Sequence, residues 1–385
     1  MTSTDAFHVS SFGEAFALHQ PSVQDLPRST TAVEGGNIRW SWACRVSSLN
    51  HVQLLSRAEA GAPEAGHLAL VRVEEIGSHE RITTRDNQRL RIYPGDLIVG
   101  VFGNRYATDA YEGEVMDTQD LGILTAGGMI GTVLSRHRSV ARPTRVRFLG
   151  YLANNDGAVA NLKDEAFRAA RPQMQPRNLV AVIGTGMNAG KTTSCVKLIR
   201  ALGQLKQRVA ACKLTGSVSN RDQDEMRSAS AVQVLDFSDF GFPSTYLSDK
   251  PELMTLFDSI MAGLEPSAPE ITIMEIADGI LQRETTMLLE DPTLRASLSG
   301  VVLAADNALA ARYAVDRLRQ WGHHVIAVTG LITSSPLCVR EFEAICDVPV
   351  AASTGDGEQL GSAVLAYLRK QHADTSVAKA ERHAA

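Results

Sequence analysis

The chain has 385 residues, 44% hydrophobic and 21% charged, which excludes a disordered polymer and supplies apolar material for two domains of ordinary size. Its formal net charge of −5 argues against a nucleic-acid partner, because contacting phosphates wants a basic surface. No apolar run approaches the roughly 20 residues of a membrane helix, and MTSTDAFHVSSFGEAF lacks the basic start and apolar stretch of a secretory signal, so no membrane partner and a cytoplasmic location are expected.

In chain order, residues 1–37 show no hydrophobic period and read as an N-terminal arm. Residues 38–152 change to short β-branched runs such as HLALVRVEEI, LRIYPGDLIVGVFG and RVRFLGYL, punctuated by Gly and Pro. Several strands without intervening helices predict a small β-rich domain, either a barrel or a sandwich. Within it, GNRYATDAYEGEV (103–115) carries Arg105, Tyr106, Asp109 and Tyr111, which together offer a polar and aromatic lining for a substrate. The glycines of LTAGGMIGTV (124–133) have no helix after them and read as bulges or tight turns rather than a phosphate loop. Residues 153–177 are polar with two prolines and read as a linker holding a short helix.

From residue 178 to 372 strands and helices alternate. Strands are predicted at 178–184, 208–213, 270–276, 299–305, 323–330 and 348–352. Helices are predicted at 190–204, 222–233, 251–263, 307–321, 336–345 and 357–370. Alternation of this kind makes an α/β domain with a parallel sheet covered on both faces, here preceded by the smaller β-rich domain. Residues 373–385 read as a tail. The five cysteines, Cys44, Cys195, Cys212, Cys338 and Cys346, are odd in number and show no C-x-x-C spacing, as expected of reduced thiols.

The most informative stretch is NLVAVIGTGMNAGKTT (178–193). An apolar strand enters a loop with three glycines, and a helix follows. Glycines let backbone N–H groups turn inward around an anion, and the helix N-terminus adds its positive end. Gly186, Met187, Asn188, Ala189, Gly190, Lys191, Thr192 and Thr193 are therefore the nucleotide-binding candidates. Lys191 is predicted to reach the β- and γ-phosphates, Thr192 to ligate Mg²⁺, and Thr193 or Ser194 to touch the α-phosphate. The glycine that opens the loop is Gly184, one residue earlier than in the common G-x4-G-K-T spacing, where this chain has Thr185.

The loop GTGMNAGKT resembles that of dethiobiotin synthetase and its relatives, where a G-T-x-x-x-x-G-K-T loop has the same extension. It also resembles a little-characterised group of P-loop proteins with an extra N-terminal domain. The resemblance covers roughly residues 178–370. It implies a P-loop fold and an ATP- and Mg²⁺-dependent kinase or ligase acting on a small molecule. Lys213, Thr215 and Gly216 in CKLTGSVSNRDQDEM resemble the family segment that handles a substrate carboxylate, with Leu214 where proline is usual. Glu275 in ITIMEIADGILQRET matches the glutamate of V-E-G-A-G-G, whereas Ile276, Ala277 and Asp278 depart from it and only Gly279 keeps the glycine character. The early loop lysine of the partition and arsenite-pump ATPases is absent.

Lys191, Lys213 and Asp224 are thus the catalytic candidates, and Thr192, Asp222 and Glu275 the metal candidates, with Asp222 or Asp224 helping at the metal or a reacting group. Thr215, Gly216, Asp278 and Arg105 are the substrate candidates, Asp278 having the alternative of capping the following helix. VTGLITSSPL (328–337) is expected near the base, and without an N-K-x-D signature ATP is the default nucleotide. A homo-oligomer is the expected assembly. Two other functions remain open on the sequence: a nucleotide-driven switch or metallochaperone, and a group-transfer enzyme whose loop holds another phosphorylated donor such as coenzyme A.

Overall fold

The computed structural model describes residues 38–174, 176–352 and 355–384, with side chains described through residue 373. The arm predicted at 1–37 lies outside the described residues.

The first part is a barrel. Its strands are β1 (Ile38–Trp40), β2 (Leu54–Leu55), β3 (Leu68–Glu75), β4 (Arg81–Thr83), β5 (Arg89–Arg91), β6 (Leu97–Phe102), β7 (Tyr111–Glu114), β8 (Leu121–Ile123), β9 (Met129–Arg136) and β10 (Arg145–Leu152). Four antiparallel pairings join β6, β3, β10, β8 and β9 in that order. A short parallel pairing of β9 with β6, Val101 opposite Met129 and Phe102 opposite Ile130, closes the ring. Closure removes the open edges that a sheet of this size would otherwise expose. Alternate residues divide as the two-residue period requires. Ala69, Val71, Ile98, Ile123, Ile130 and Val146 fill the ring, while Leu68, Leu70, Leu97 and Val99 face outward into a second cluster. That outer cluster includes Trp42, Leu162 and Val218, so it also seals the barrel against the rest of the chain. The helices of this part are short, α1 (Arg57–Ala60) and α2 (Leu162–Ala166), the latter inside the predicted linker.

The second part is a parallel sheet of β11 (Leu179–Gly184), β12 (Val209–Lys213), β13 (Val234–Asp236), β14 (Ile271–Glu275), β15 (Gly300–Ala304) and β16 (Val325–Thr329). The order across the sheet is β13-β12-β14-β11-β15-β16. Its helices are α3 (Lys191–Gln204), α4 (Arg221–Ser228), α5 (Lys250–Leu264), α6 (Arg283–Leu289), α7 (Pro292–Ser297), α8 (Ala308–Gln320), α9 (Pro336–Glu343) and α10 (Glu358–Ala384). Both faces are covered, which explains why the strands read as continuous apolar runs. Leu179, Ala181 and Ile183 of β11 point to the side of α5 and α8, and Val180 and Val182 to the side of α3 and α10. Cys195 is fully buried on α3, and burial pushes its thiol well up, as suits a core residue.

Three expectations need correction. Residues 348–352 do not form a strand; Val350 makes only an isolated parallel bridge to Val328. Pro349 has no N–H to give to a ladder. The edge position is taken instead at the other side of the sheet by the three-residue β13, too short to show a period. The predicted helix 222–233 stops at Ser228, and the predicted helix 357–370 continues through the tail as α10.

Candidate functional site

β11 and β14 are neighbours, with Val182 opposite Glu275, so both strands end at one point of the sheet. In an open α/β sheet ligands bind outside the carboxyl ends of the strands. The loop after β11 crosses this point. Gly190 takes φ +99° to turn the chain into α3. Gly184 has no room for a side chain: a Cβ there would lie 2.8 Å from the Gly186 carbonyl and 2.9 Å from Lys191 Cδ. Lys191 therefore folds back over the loop, and its ammonium donates to the carbonyls of Gly186 at 2.8 Å and Met187 at 3.0 Å. It is 4% exposed, and burial holds it below the ordinary lysine range. Among the described residues, the amides of Gly186, Met187, Asn188 and Gly190 donate to no protein acceptor. Thr193 is exposed, whereas the buried Ser194 spends its hydroxyl on the Gly190 carbonyl at 2.8 Å. Of the two α-phosphate candidates, Thr193 is the one with a hydroxyl to give.

Beside the loop stands an acidic pair. The Thr192 hydroxyl lies 3.3 Å from Glu275 Oε1 and 3.5 Å from Asp222 Oδ1. The Lys213 ammonium is paired with Asp222 and stands 3.2 Å from Glu275 Oε1. Burial opposes the charged lysine, but the Glu275 and Asp222 carboxylates outweigh it and raise Lys213 above its ordinary value. Burial likewise opposes the Asp222 carboxylate, and Lys213 more than offsets it, so Asp222 lies below the usual carboxylate range. Glu275 is 1% exposed, and its Oε2 is buried with no hydrogen-bond partner in the structure. A hydroxyl, two carboxylates and one unpartnered buried oxygen fit Mg²⁺, which takes hard oxygen ligands and usually only one or two protein carboxylates beside the phosphates.

The other predicted residues divide. Thr215, 2% exposed, accepts the Ala277 amide at 2.8 Å, and Gly216 at φ +145° would bring a Cβ to 3.0 Å from Lys213 Cε. Both therefore support the segments around Lys213 and Asp278 from behind. Asp278 stands at the site in a left-handed conformation, φ +64°. It does not cap the next helix, because the Gln282 side chain accepts from the Thr285 amide at 2.9 Å and does so instead. The structure does not bring Asp224 to Lys213: its carboxylate accepts from Asn87 Nδ2 at 3.1 Å and Asn220 Nδ2 at 3.0 Å, toward the barrel. Arg105 reaches the neighbourhood from the barrel, where its Nε and Nη1 are buried without a hydrogen-bond partner. The same barrel segment touches the glycine-rich loop through Asp109, which accepts from Asn188 Nδ2 at 2.8 Å.

Glu284 also joins the site, and two further contributors, Asp306 and Gly330, were not singled out in the sequence. Glu284, 1% exposed, accepts the Leu247 amide at 3.0 Å and lies beside Asp278. Asp306 accepts from Thr185 Oγ1 at 2.9 Å. Gly330, at φ +87°, carries the predicted base segment over the loop, with Leu331 N donating to the Ala189 carbonyl at 3.2 Å. Only the glycine after the β16 strand hinted at this last approach.

No protein-family model matches the chain, and no curated protein matches it. Solved structures do. The signal recognition particle receptor FtsY from Elizabethkingia anophelis is 18% identical over 53% of this chain and 69% of its own, with a TM-score of 0.33. The hydrogenase maturation factor HypB from Archaeoglobus fulgidus is 11% identical over 50% of this chain and 90% of its own, with a TM-score of 0.34. The kinase domain of the Escherichia coli tyrosine kinase ETK is 15% identical over 40% of this chain and 68% of its own, with a TM-score of 0.29. At these values function has to be read from the geometry of the site itself.

Proposed function

We propose that the protein is a Mg²⁺-dependent enzyme that transfers the γ-phosphoryl group of a nucleoside triphosphate, with ATP as the expected nucleotide, to a small-molecule acceptor. The observation that carries this is the convergence of Lys191, Thr192 and Glu275 at the ends of two adjacent strands, with Glu275 Oε2 left unpartnered. A buried oxygen without a partner costs about 1–3 kcal/mol or more, so the site is arranged around something the protein alone does not supply. The unbonded amides of the loop make the same argument for an anion beside it.

Each residue then has a task. The loop amides and the N-terminus of α3 bind the phosphates. Lys191 gives up carbonyl partners for charged phosphate oxygens and balances the charge that grows on the leaving group. Thr192, Asp222 and Glu275 would hold Mg²⁺, which neutralises phosphate charge when bound. Lys213 keeps Asp222 and Glu275 together as a charged pair, and the barrel segment at Arg105 and Asp109 bounds the space for the acceptor.

Binding of Mg-ATP and Mg-GTP, and nucleoside diphosphate release with a panel of small carboxylates and amines, tests the reading. Lys191→Ala is expected to lower turnover by about 10²–10³-fold, as loss of one charge-stabilising donor does. A Lys191→Ala protein that bound and turned over both nucleotides like the wild type would sink it.

A further inference from the structure

Asp278 is given no task at the nucleotide or the metal in the reading above, yet the fold presents it beside the loop. It lies between β14 and α6 at φ +64°, in the left-handed region that glycine occupies without cost and that Asp tolerates better than most residues with a side chain. The segment is held on both sides. The Ala277 amide donates to Thr215 Oγ1 at 2.8 Å, and the Ile280 amide donates to the Gly184 carbonyl at 2.9 Å. Between them, a Cβ on Gly279 would lie 2.8 Å from the Thr185 carbonyl. The segment is thus pressed against the phosphate loop, and Asp278 is held beside it.

No described residue donates a hydrogen bond to the Asp278 carboxylate, and it caps no helix. Glycine would sit at this φ without strain, so the acid is not there for the backbone. The charged groups around it are Lys191 from α3, Lys213 from β12, Glu275 from β14, Glu284 from α6 and, from the barrel, Arg105.

We propose that Asp278 is the general base of the transfer, taking the proton from the acceptor's hydroxyl or amine as that atom bonds to the γ-phosphorus. The bond from phosphorus to the bridging oxygen breaks, and its electron pair leaves with the nucleoside diphosphate. The proton remains on the Asp278 carboxyl until it passes to solvent. Burial, aided by Glu284 and Glu275 against the pull of the two lysines, pushes Asp278 up to about 6. A base of that strength is ionised at neutral pH and still able to hold a proton, the compromise that general-base catalysis favours. This inference rests on the phosphoryl-transfer reading above.

The test uses water as the acceptor. Wild type, Asp278→Asn, Asp278→Gly and Lys191→Ala are compared in Mg-ADP and Mg-GDP binding by calorimetry, in Mg-ATP and Mg-GTP hydrolysis from pH 5 to 8, and in thermal melting. Both Asp278 variants are expected to bind nucleotide within about twofold of wild type and to hydrolyse about 10²-fold or more slowly. The wild-type rate is expected to rise with pH through about 6 and level off, and the variants' rates to lose that step. Asp278→Gly is expected to melt no lower than wild type. Wild-type rates and pH profiles in the variants would overturn the proposal. So would a wild-type hydrolysis no faster than that of Lys191→Ala, or a joint loss of melting temperature and nucleotide binding, which would mark Asp278 as a structural residue. A wild type that binds neither nucleotide would instead overturn the phosphoryl-transfer reading itself.

Discussion

Lys213 shows how much one ammonium can decide. Its Nζ stands between the buried Glu275 carboxylate and the half-buried Asp222 carboxylate, which would repel each other without it. Breaking a buried ion pair by removing one partner costs about 3–5 kcal/mol, because an uncompensated charge is left inside. Lys213→Met is therefore expected to lower the melting temperature in the presence of a chelator. Added Mg²⁺ is expected to recover more of that loss in the variant than it adds to wild type, since the freed carboxylates then have a cation to share. Melting curves with chelator and with Mg²⁺ check this; equal responses of variant and wild type would mean that the pair does not form the metal site.

At the scale of elements, the glycine-rich loop before α3 is shaped by the segments that lean on it as much as by its own glycines. Gly279 supports it from β14's side and Gly330 from β16's side. At Gly330 both constraints on a glycine meet: φ is +87°, and a Cβ would lie 2.2 Å from the Ala189 carbonyl and 2.9 Å from the Ala305 amide nitrogen. Gly330→Ala must move the loop or the strand end. It is expected to weaken Mg-nucleotide binding about tenfold or more, the effect of a loop displaced by a fraction of an ångström at a site that depends on placement. Calorimetric titration beside a circular dichroism spectrum separates this from unfolding, and wild-type affinity in Gly330→Ala would show that the loop does not depend on this contact.

At the scale of the molecule, the barrel and the sheet are joined by polar contacts that end near the site. The Arg45 guanidinium lies over the Trp42 ring at 4.4 Å, donates to Ser238 Oγ at 2.9 Å and pairs with Asp239 at 2.5 Å. Asp236 stands 3.7 Å from the same guanidinium, and burial with Asp239 nearby pushes its carboxyl up to about 6. Gln223 of α4 donates to the other Asp239 oxygen at 2.6 Å, so the barrel holds the helix that carries Asp222. Arg45→Met removes the cation and leaves the two acids facing each other. It is expected to destabilise the chain by about 3–5 kcal/mol, measured by chemical denaturation, with a smaller loss at pH 5 than at pH 7.5 because Asp236 is then protonated. A loss independent of pH would place the effect in the packing against Trp42 instead.

The sequence by itself determined the glycine-rich loop between a strand and a helix, the strand that ends in Glu275, the alternation that makes a parallel sheet and the β-rich character of the first part. These are local signals: a period of two or 3.6, a glycine spacing, a lysine at a helix start. Only the tertiary structure decided that residues 38–152 close into a barrel, since the parallel β6–β9 pairing joins residues far apart in the chain. It also decided that Lys213 is taken up by Asp222 and Glu275 while Asp224, two residues along α4, turns to Asn87 of the barrel. Successive side chains on a helix point in different directions, and which direction is the site depends on what packs around it. The glycine-rich loop before α3 is also completed from outside itself, by Gly279, Gly330 and the acid presented at Asp278. Charge, burial and close approach at such points are properties of neighbours in space, which adjacent residues in a sequence do not specify.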